Sequence, residues 1–413
     1  QEYLPAIRSP VFTGPGGCGG LLVKEDGISL RAAGFCNLNE LFEAHTEVAS
    51  QIEVLKGAGT SIHGSNALHG VINVITPDRA SMNTATLERM KSGSNRLKFT
   101  VNSGGESPVV FAGTFAGYKG YRTDSGYDQQ KVSVRHYYER PKYSVETGTT
   151  LSNLNQETAG YITGLEAYKD ESVALSNPNP EAFRDAKAAR VWSRFTFGSN
   201  KGELSVKPYV RYTEMEFLQH FLPGKPLEEN GQKSLGLQIY SSGNLSDIVD
   251  FSIGVDAEFT KAYLKQTQFA ETSGSAFLQA TVPIGKHYDY TVDARQIAPF
   301  FQIRKDLTDT ISAALGSRYE EMKYDYQNRM RSGRSRDDGT PCGFGGCRYS
   351  RPNSGVNNYN NTSVDLNVSY TLDDSLLLYF RVADSFRAPQ GTEIYRLQRG
   401  QEIADLASEE SSS

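Results

Sequence analysis

Three observations predict a mainly β protein in which a compact α+β segment leads into antiparallel strands of transmembrane-barrel type. Apolar and polar residues alternate over long stretches, and the links between successive strands are short and long in turn. No run of about 18 apolar residues is present to serve as a membrane helix.

The alternation is clearest where Val249, Phe251, Ile253, Val255, Ala257 and Phe259 interleave with Asp250, Ser252, Gly254, Asp256, Glu258 and Thr260. Val364, Leu366, Val368 and Tyr370 interleave with Ser363, Asp365, Asn367 and Ser369, and Val132 and Val134 with Lys131, Ser133 and Arg135. Side chains of a strand point to opposite faces in turn, so each stretch has one apolar and one polar face. In a soluble sandwich the apolar faces would meet in a core; in a membrane barrel they meet lipid and the polar faces line the lumen.

Link lengths separate those cases. The reading gives about thirteen strands from residue 79 onward. Short links fall near 105, 140, 200, 245, 306 and 373, and long ones near 124, 175, 226, 280, 343 and 390. Short turns on one side and long loops on the other are what an outer-membrane barrel needs. An odd strand number predicts further strands, because single-chain barrels generally close with an even count and an open edge in lipid leaves backbone groups unsatisfied.

Composition agrees. Hydrophobic content is 38% with 23 Tyr and 20 Phe against one Trp, and the net charge is −5 with both signs scattered. No basic block supports nucleic-acid binding. The four cysteines form two close pairs, Cys18/Cys36 and Cys342/Cys347, without the short knuckles or nearby histidines that zinc favours. Disulfides of an oxidising compartment fit better, with Cα atoms roughly 4.4–6.8 Å apart. The CGFGGC ring is expected to stiffen a loop tip and little else. His63 and His69 lack nearby Cys, Asp or Glu, so no metal site and no cofactor is assigned.

Residues 1–78 are Gly-rich, with short apolar runs between loops and a stretch near 40–55 that reads as a short helix running into a strand. Within them, QIEVLKGAGTSIHGSNALHGVINVITP (Gln51 to Pro77) resembles the plug of TonB-dependent outer-membrane receptors. DSFRAPQGTEIYRL (Asp384 to Leu397) is similar to a segment leaving a middle barrel strand of the same family, and Gly120 to His136 to its early strands. Val23 to Ile28 carries the family's DGI turn.

The resemblance implies a plug over 1–78, a partial barrel over 79–413 and about 22 strands in the whole barrel. It further implies that the chain continues at both ends, with a signal peptide, the TonB coupling box and the start of the plug upstream. Implied partners are the TonB–ExbB–ExbD complex, outer-membrane lipid and an extracellular small molecule or metal chelate. The implied activity, in the outer membrane of a Gram-negative bacterium, is active import with no chemical transformation. Ferric siderophores are the commonest cargo; cobalamin, haem, copper chelates and glycans are others, and a passive porin is the alternative class. Gly57, Gly64 and Gly70 supply turns of the plug motif, and Glu53 and Lys56 form a latch toward charges of the barrel wall. Ligand-facing apices are placed at Arg31, Phe35, Asn37 and Asn39, and at His45 and Glu47. Arg331, Arg334, Arg336 and Arg348 make a basic loop suited to steering an anionic ligand.

Overall fold

The computed structural model describes residues 5–7, 9, 18–37, 39–59, 61–91, 93–199, 202–373, 375–403 and 406–413. Its N-terminal part is a four-stranded sheet of Leu21–Glu25 (β1), Ile28–Ser29 (β2), Gln51–Lys56 (β3) and Gly70–Ile75 (β4), in the order β2-β1-β4-β3. Asp26 and Gly27 join β1 to β2 with both φ values positive (51° and 80°), a two-residue hairpin geometry that Asp-Gly fits. β1 runs parallel to β4 and β3 antiparallel to it. Val23, Leu30, Ala44 and Val74 pack on one side, Leu22, Ala67 and Val71 on another.

The expected helix near 40–55 is instead two 3-10 turns, Glu40–Glu43 and Thr46–Val48, followed by β3. The break falls at His45, whose backbone N–H donates to the Glu25 carboxylate at 2.7 Å rather than to the preceding turn.

From Thr84 the chain is a succession of antiparallel strands. They are β5 (Thr84–Arg89), β6 (Ser94–Asn102), β7 (Val109–Tyr118), β8 (Tyr127–Arg140), β9 (Tyr143–Glu157), β10 (Phe183–Ser199) and β11 (Gly202–Leu218). After them come β12 (Leu227–Ser246), β13 (Val249–Gln268), β14 (Gly285–Asp306), β15 (Ile311–Asn328), β16 (Tyr349–Ser350), β17 (Gly355–Asp373) and β18 (Leu376–Arg387). Last are β19 (Leu397–Gln398) and β20 (Glu409–Ser412). All but β16 and β19, which pair with each other, form one 14-stranded sheet with sequential neighbours. This is the predicted set of strands plus the short β20. Long links carry three short helices, Glu171–Leu175, Ala276–Thr281 and Gly391–Tyr395.

Burial in the sheet is inverted relative to a soluble protein. On β8, Lys131, Ser133 and Arg135 are buried, and on β17 Ser363 and Asp365 are. Exposed positions include Phe111, Phe115, Leu151, Val191, Phe195, Ile253, Phe301, Val364 and Leu366. No helix among the described residues is long and apolar enough to cross a membrane.

Along the longest strands the pattern then reverses. The lower part of β13 points Asp256, Glu258 and Thr260 inward, whereas its upper part buries Ala262 and Leu264 and turns Lys261 and Lys265 outward. β14 follows suit, with Ile297, Phe301 and Ile303 exposed below and Tyr288, Tyr290 and Val292 buried above. β13 and β14 have 20 and 22 residues, about twice the 9–11 that cross a bilayer. Such a reversal is what a barrel strand longer than the bilayer shows where it passes from lipid to water.

Candidate functional site

The N-terminal sheet sits against the polar face of the large sheet, which wraps it from β7 to β18. Asp26, at the β1–β2 turn, accepts from the Thr76 backbone at 3.0 Å and its hydroxyl at 2.8 Å, and pairs with Arg135 of β8. Glu25 pairs with Arg190 of β10 at 2.9 Å, and Arg190 also donates to the Glu43 carbonyl at 2.8 Å. Lys131 holds the Ala44 carbonyl at 2.7 Å and the Glu47 carboxylate at 3.0 Å. Lys207 donates to the Asp26 carbonyl, and Arg211 to that of Ser29 at 2.7 Å. Five cations on β8, β10 and β11 thus face acidic groups and carbonyls of the inner unit. Removing one partner of such a buried pair leaves an uncompensated charge, at about 3–5 kcal/mol.

On the opposite side the wall is acidic. Arg318 of β15 is buried between Asp256 (2.9 Å) and Glu320 (3.3 Å). Glu320 takes a hydrogen bond from Ser65, and Asp365 of β17 one from the Ser61 backbone at 2.6 Å. Gly64 is required here. Its φ is +77°, and a Cβ would come within 2.8 Å of the Arg318 guanidinium. A small polar cavity of about 40 Å³ remains between this wall and the inner sheet, lined in part by Lys24, His63, Tyr209, Asp256 and Arg318. Burial pushes the Lys24 ammonium down to about 8 and the His63 imidazole down to about 3.

The sequence-nominated residues divide into groups. Arg31 is buried and bound to Glu43 at 2.6 Å. His45 is wholly buried, its ring nitrogens 2.5 Å from the Ser133 hydroxyl and 2.9 Å from that of Thr114; burial, then Lys131, push it down to about 4. Glu47 is engaged by Lys131. Phe35, Asn37 and Asn39 lie toward the long-link ends of the strands. Phe35 packs edge-on to Tyr324 (centroids 5.8 Å apart), and Asn37 is 3.6 Å from the Met215 sulfur. Beside them burial pushes the Glu40 carboxyl up to about 8, against the Asn37 backbone amide, which lowers it.

Glu53 is exposed and accepts from Asn73 of the same sheet at 2.7 Å; Lys56 is exposed at the end of β3. Among the described residues neither touches a wall charge. Gly57 donates its N–H to the His69 carbonyl at 2.9 Å, and Gly70 opens β4.

Both cysteine pairs are bridged, with Cα separations of 5.8 Å for Cys18–Cys36 and 4.9 Å for Cys342–Cys347. The second does more than stiffen a loop tip. Cys342 and Cys347 are buried in an aromatic cluster with Tyr288, Tyr290, Tyr324, Tyr326 and Tyr395, because the long link folds inward over the upper, apolar part of the wall. Tyr326 and Tyr395 stack at 4.0 Å. Within the basic loop Arg334 donates to the Cys347 carbonyl at 2.8 Å, while Arg331 and Arg348 are exposed. Arg351, not singled out by sequence, is fully buried and holds the carbonyls of Arg331, His287 and Ser335.

β18 and the segment after it close the contact. Arg381 donates to the Ala58 carbonyl at 2.5 Å, the Asn66 N–H donates to the Phe386 carbonyl at 3.3 Å, and the Gly391 N–H to that of Gly34 at 2.7 Å. The stretch that resembles a family segment in sequence is therefore a docking surface for the inner sheet.

The family model of the TonB dependent receptor-like β-barrel matches residues 92–413. The chain belongs to this family. Among solved structures, the ferric citrate transporter FecA in its unliganded form is similar with a TM-score of 0.69 and 14% identity, over 90% of this chain and 55% of that one. The copper transporter OprC gives 0.71 and 15%, over 95% and 60%. The siderophore receptor PiuA from Acinetobacter baumannii gives 0.69 and 11%, over 96% and 61%. At these identities the likeness is one of fold. The chain spans 55–61% of the length of these three proteins.

The docking pairs are what sequence reasoning missed. Their wall members were visible as the polar half of alternating strands, but each partner lies far away in the chain: Asp26 and Arg135 are 109 residues apart, Glu25 and Arg190 165.

Proposed function

We propose that this chain is the plug and part of the barrel of a TonB-dependent importer in the outer membrane of a Gram-negative bacterium. Residues 1–78 act as the plug and 79–413 as wall. The cargo is a scarce nutrient bound from outside, with ferric siderophores the first class to test and copper chelates, haem, cobalamin and glycans after them. Force from the TonB–ExbB–ExbD complex, applied on the N-terminal side of the plug, releases it for passage.

One observation carries this reading: a separately folded sheet occupies the polar face of a lipid-facing sheet and is held there by buried ion pairs rather than by a continuous apolar core. Such contacts block a lumen yet are exchangeable for water once displaced, which suits a gate. A passive porin has no use for them. His45 and Glu47 serve docking in this reading, Arg31 braces Glu43 within the inner unit, and Phe35, Asn37 and Asn39 are the ligand-facing residues.

The test is uptake of a labelled ferric-siderophore panel by cells expressing the full-length receptor, with and without a proton-motive-force uncoupler. The expected result is uptake of one member that the uncoupler abolishes. Small-solute uptake indifferent to the uncoupler would contradict the proposal.

A further inference from the structure

We infer that the Cys18–Cys36 disulfide is a load bypass that carries a pull on the N-terminal side of Cys18 directly to the ligand-facing end of the plug, leaving residues 19–35 unloaded. The inference rests on the proposed function, in which the pull arrives from that side.

The argument is one of connectivity. The bridge joins residues 18 apart, so tension reaching Cys18 crosses the two sulfurs and re-enters the backbone at Cys36. The enclosed loop contains β1 and β2, and with them four of the wall's grips on the inner unit. Glu25 and Asp26 are paired to Arg190 and Arg135, and Lys207 and Arg211 grip the Asp26 and Ser29 carbonyls. β1 also lies between β2 and β4, so extracting it would shear two neighbours at once.

Cys36 sits elsewhere. Its flanking residues are Phe35, against Tyr324, and Asn37, beside Met215, and the bridge lies next to the Gln390 side chain. Beyond it the chain runs through the two 3-10 turns, where Arg190 and Lys131 hold Glu43, Ala44 and Glu47, to β3. That strand is the edge of the four-stranded sheet, paired there with β4 alone and exposed along most of its length. The bridge therefore orders the release: residues 37–56 are loaded first, while β1, β2 and their ion pairs stay seated. Without it, the same pull would first draw out residues 19–35, adding about 60 Å of slack at roughly 3.3–3.6 Å per residue.

Force spectroscopy on the complete receptor in lipid bilayers, pulled from its N-terminus, tests this. The oxidised protein is compared with the Cys18→Ser/Cys36→Ser variant and, should that variant fail to fold, with wild type treated with reductant. The Cys342–Cys347 ring spans only 5 residues, so its opening cannot mimic the difference. The expected first extension is shorter by about 60 Å in the oxidised form, and in cells the variant is expected to import ligand more slowly at saturating concentration. Equal extensions in both forms overturn the bypass, and equal import rates overturn its use. Uptake that ignores the uncoupler in both forms contradicts the proposed function instead, and the extension lengths read the bypass independently of it.

Discussion

Asp26 gathers hydrogen bonds from Thr76 and a guanidinium from Arg135, and every donor around it must be in place before the carboxylate can leave water. The DGI turn was legible as a turn, but its role as the seat of a docking ion pair was not, since nothing local specifies the partner. Glu40 is the opposite case, a buried carboxyl whose folded form holds its proton up to about 8. Its folded value is raised above the unfolded one, so its stabilising contribution is fully present below about pH 4.5 and is lost as pH rises through 8. Glu40→Gln is accordingly expected to gain stability over wild type progressively across that window, by a few kcal/mol at most. Hydrogen exchange of the β1 and β4 amides at pH 5 and pH 8 checks it: a gain equal at both values would show that Glu40 is ionised when folded.

The strands carry a signal that hydropathy averaging hides. The sequence shows which face of β13 is apolar from Val249 to Phe259; the structure adds that the faces exchange roles above Thr260. A period of two was easy to read, while a reversal within one strand needs the neighbours' register to be recognised. Ile253 lies in the lower, lipid-facing band and Tyr263 above the reversal. Ile253→Arg should therefore cost about 2–4 kcal/mol of folding free energy in a bilayer, and Tyr263→Arg about 0–1 kcal/mol. Equilibrium folding into phospholipid vesicles measures both, and equal costs would contradict the assigned boundary. The link lengths were legible for a related reason, since turn signals are local. The inward fold of the 342–347 ring onto the tyrosine cluster was not, because it depends on aromatic residues supplied by β14, β15 and the helix Gly391–Tyr395.

Across the whole molecule, charge is segregated by direction. Cations of β8 to β11 face the acidic edge of the inner sheet, and carboxylates of β13, β15 and β17, with Arg318 and Arg381 among them, face its other side, so the inner unit is oriented as well as held. Ion pairs confer this orientation where a greasy interface would permit sliding, which is the property a resealable gate requires. Sequence resemblance supplied the family; the charge arrangement between the inner sheet and the wall came only from the structure. The central claim is that residues 1–78 obstruct the lumen of the complete receptor at rest. Planar-bilayer conductance of the purified full-length protein tests it most directly. The account predicts no steady open-pore current from the intact receptor and a large ohmic current once residues 1–78 are deleted. A steady, porin-like current from the intact receptor would contradict it.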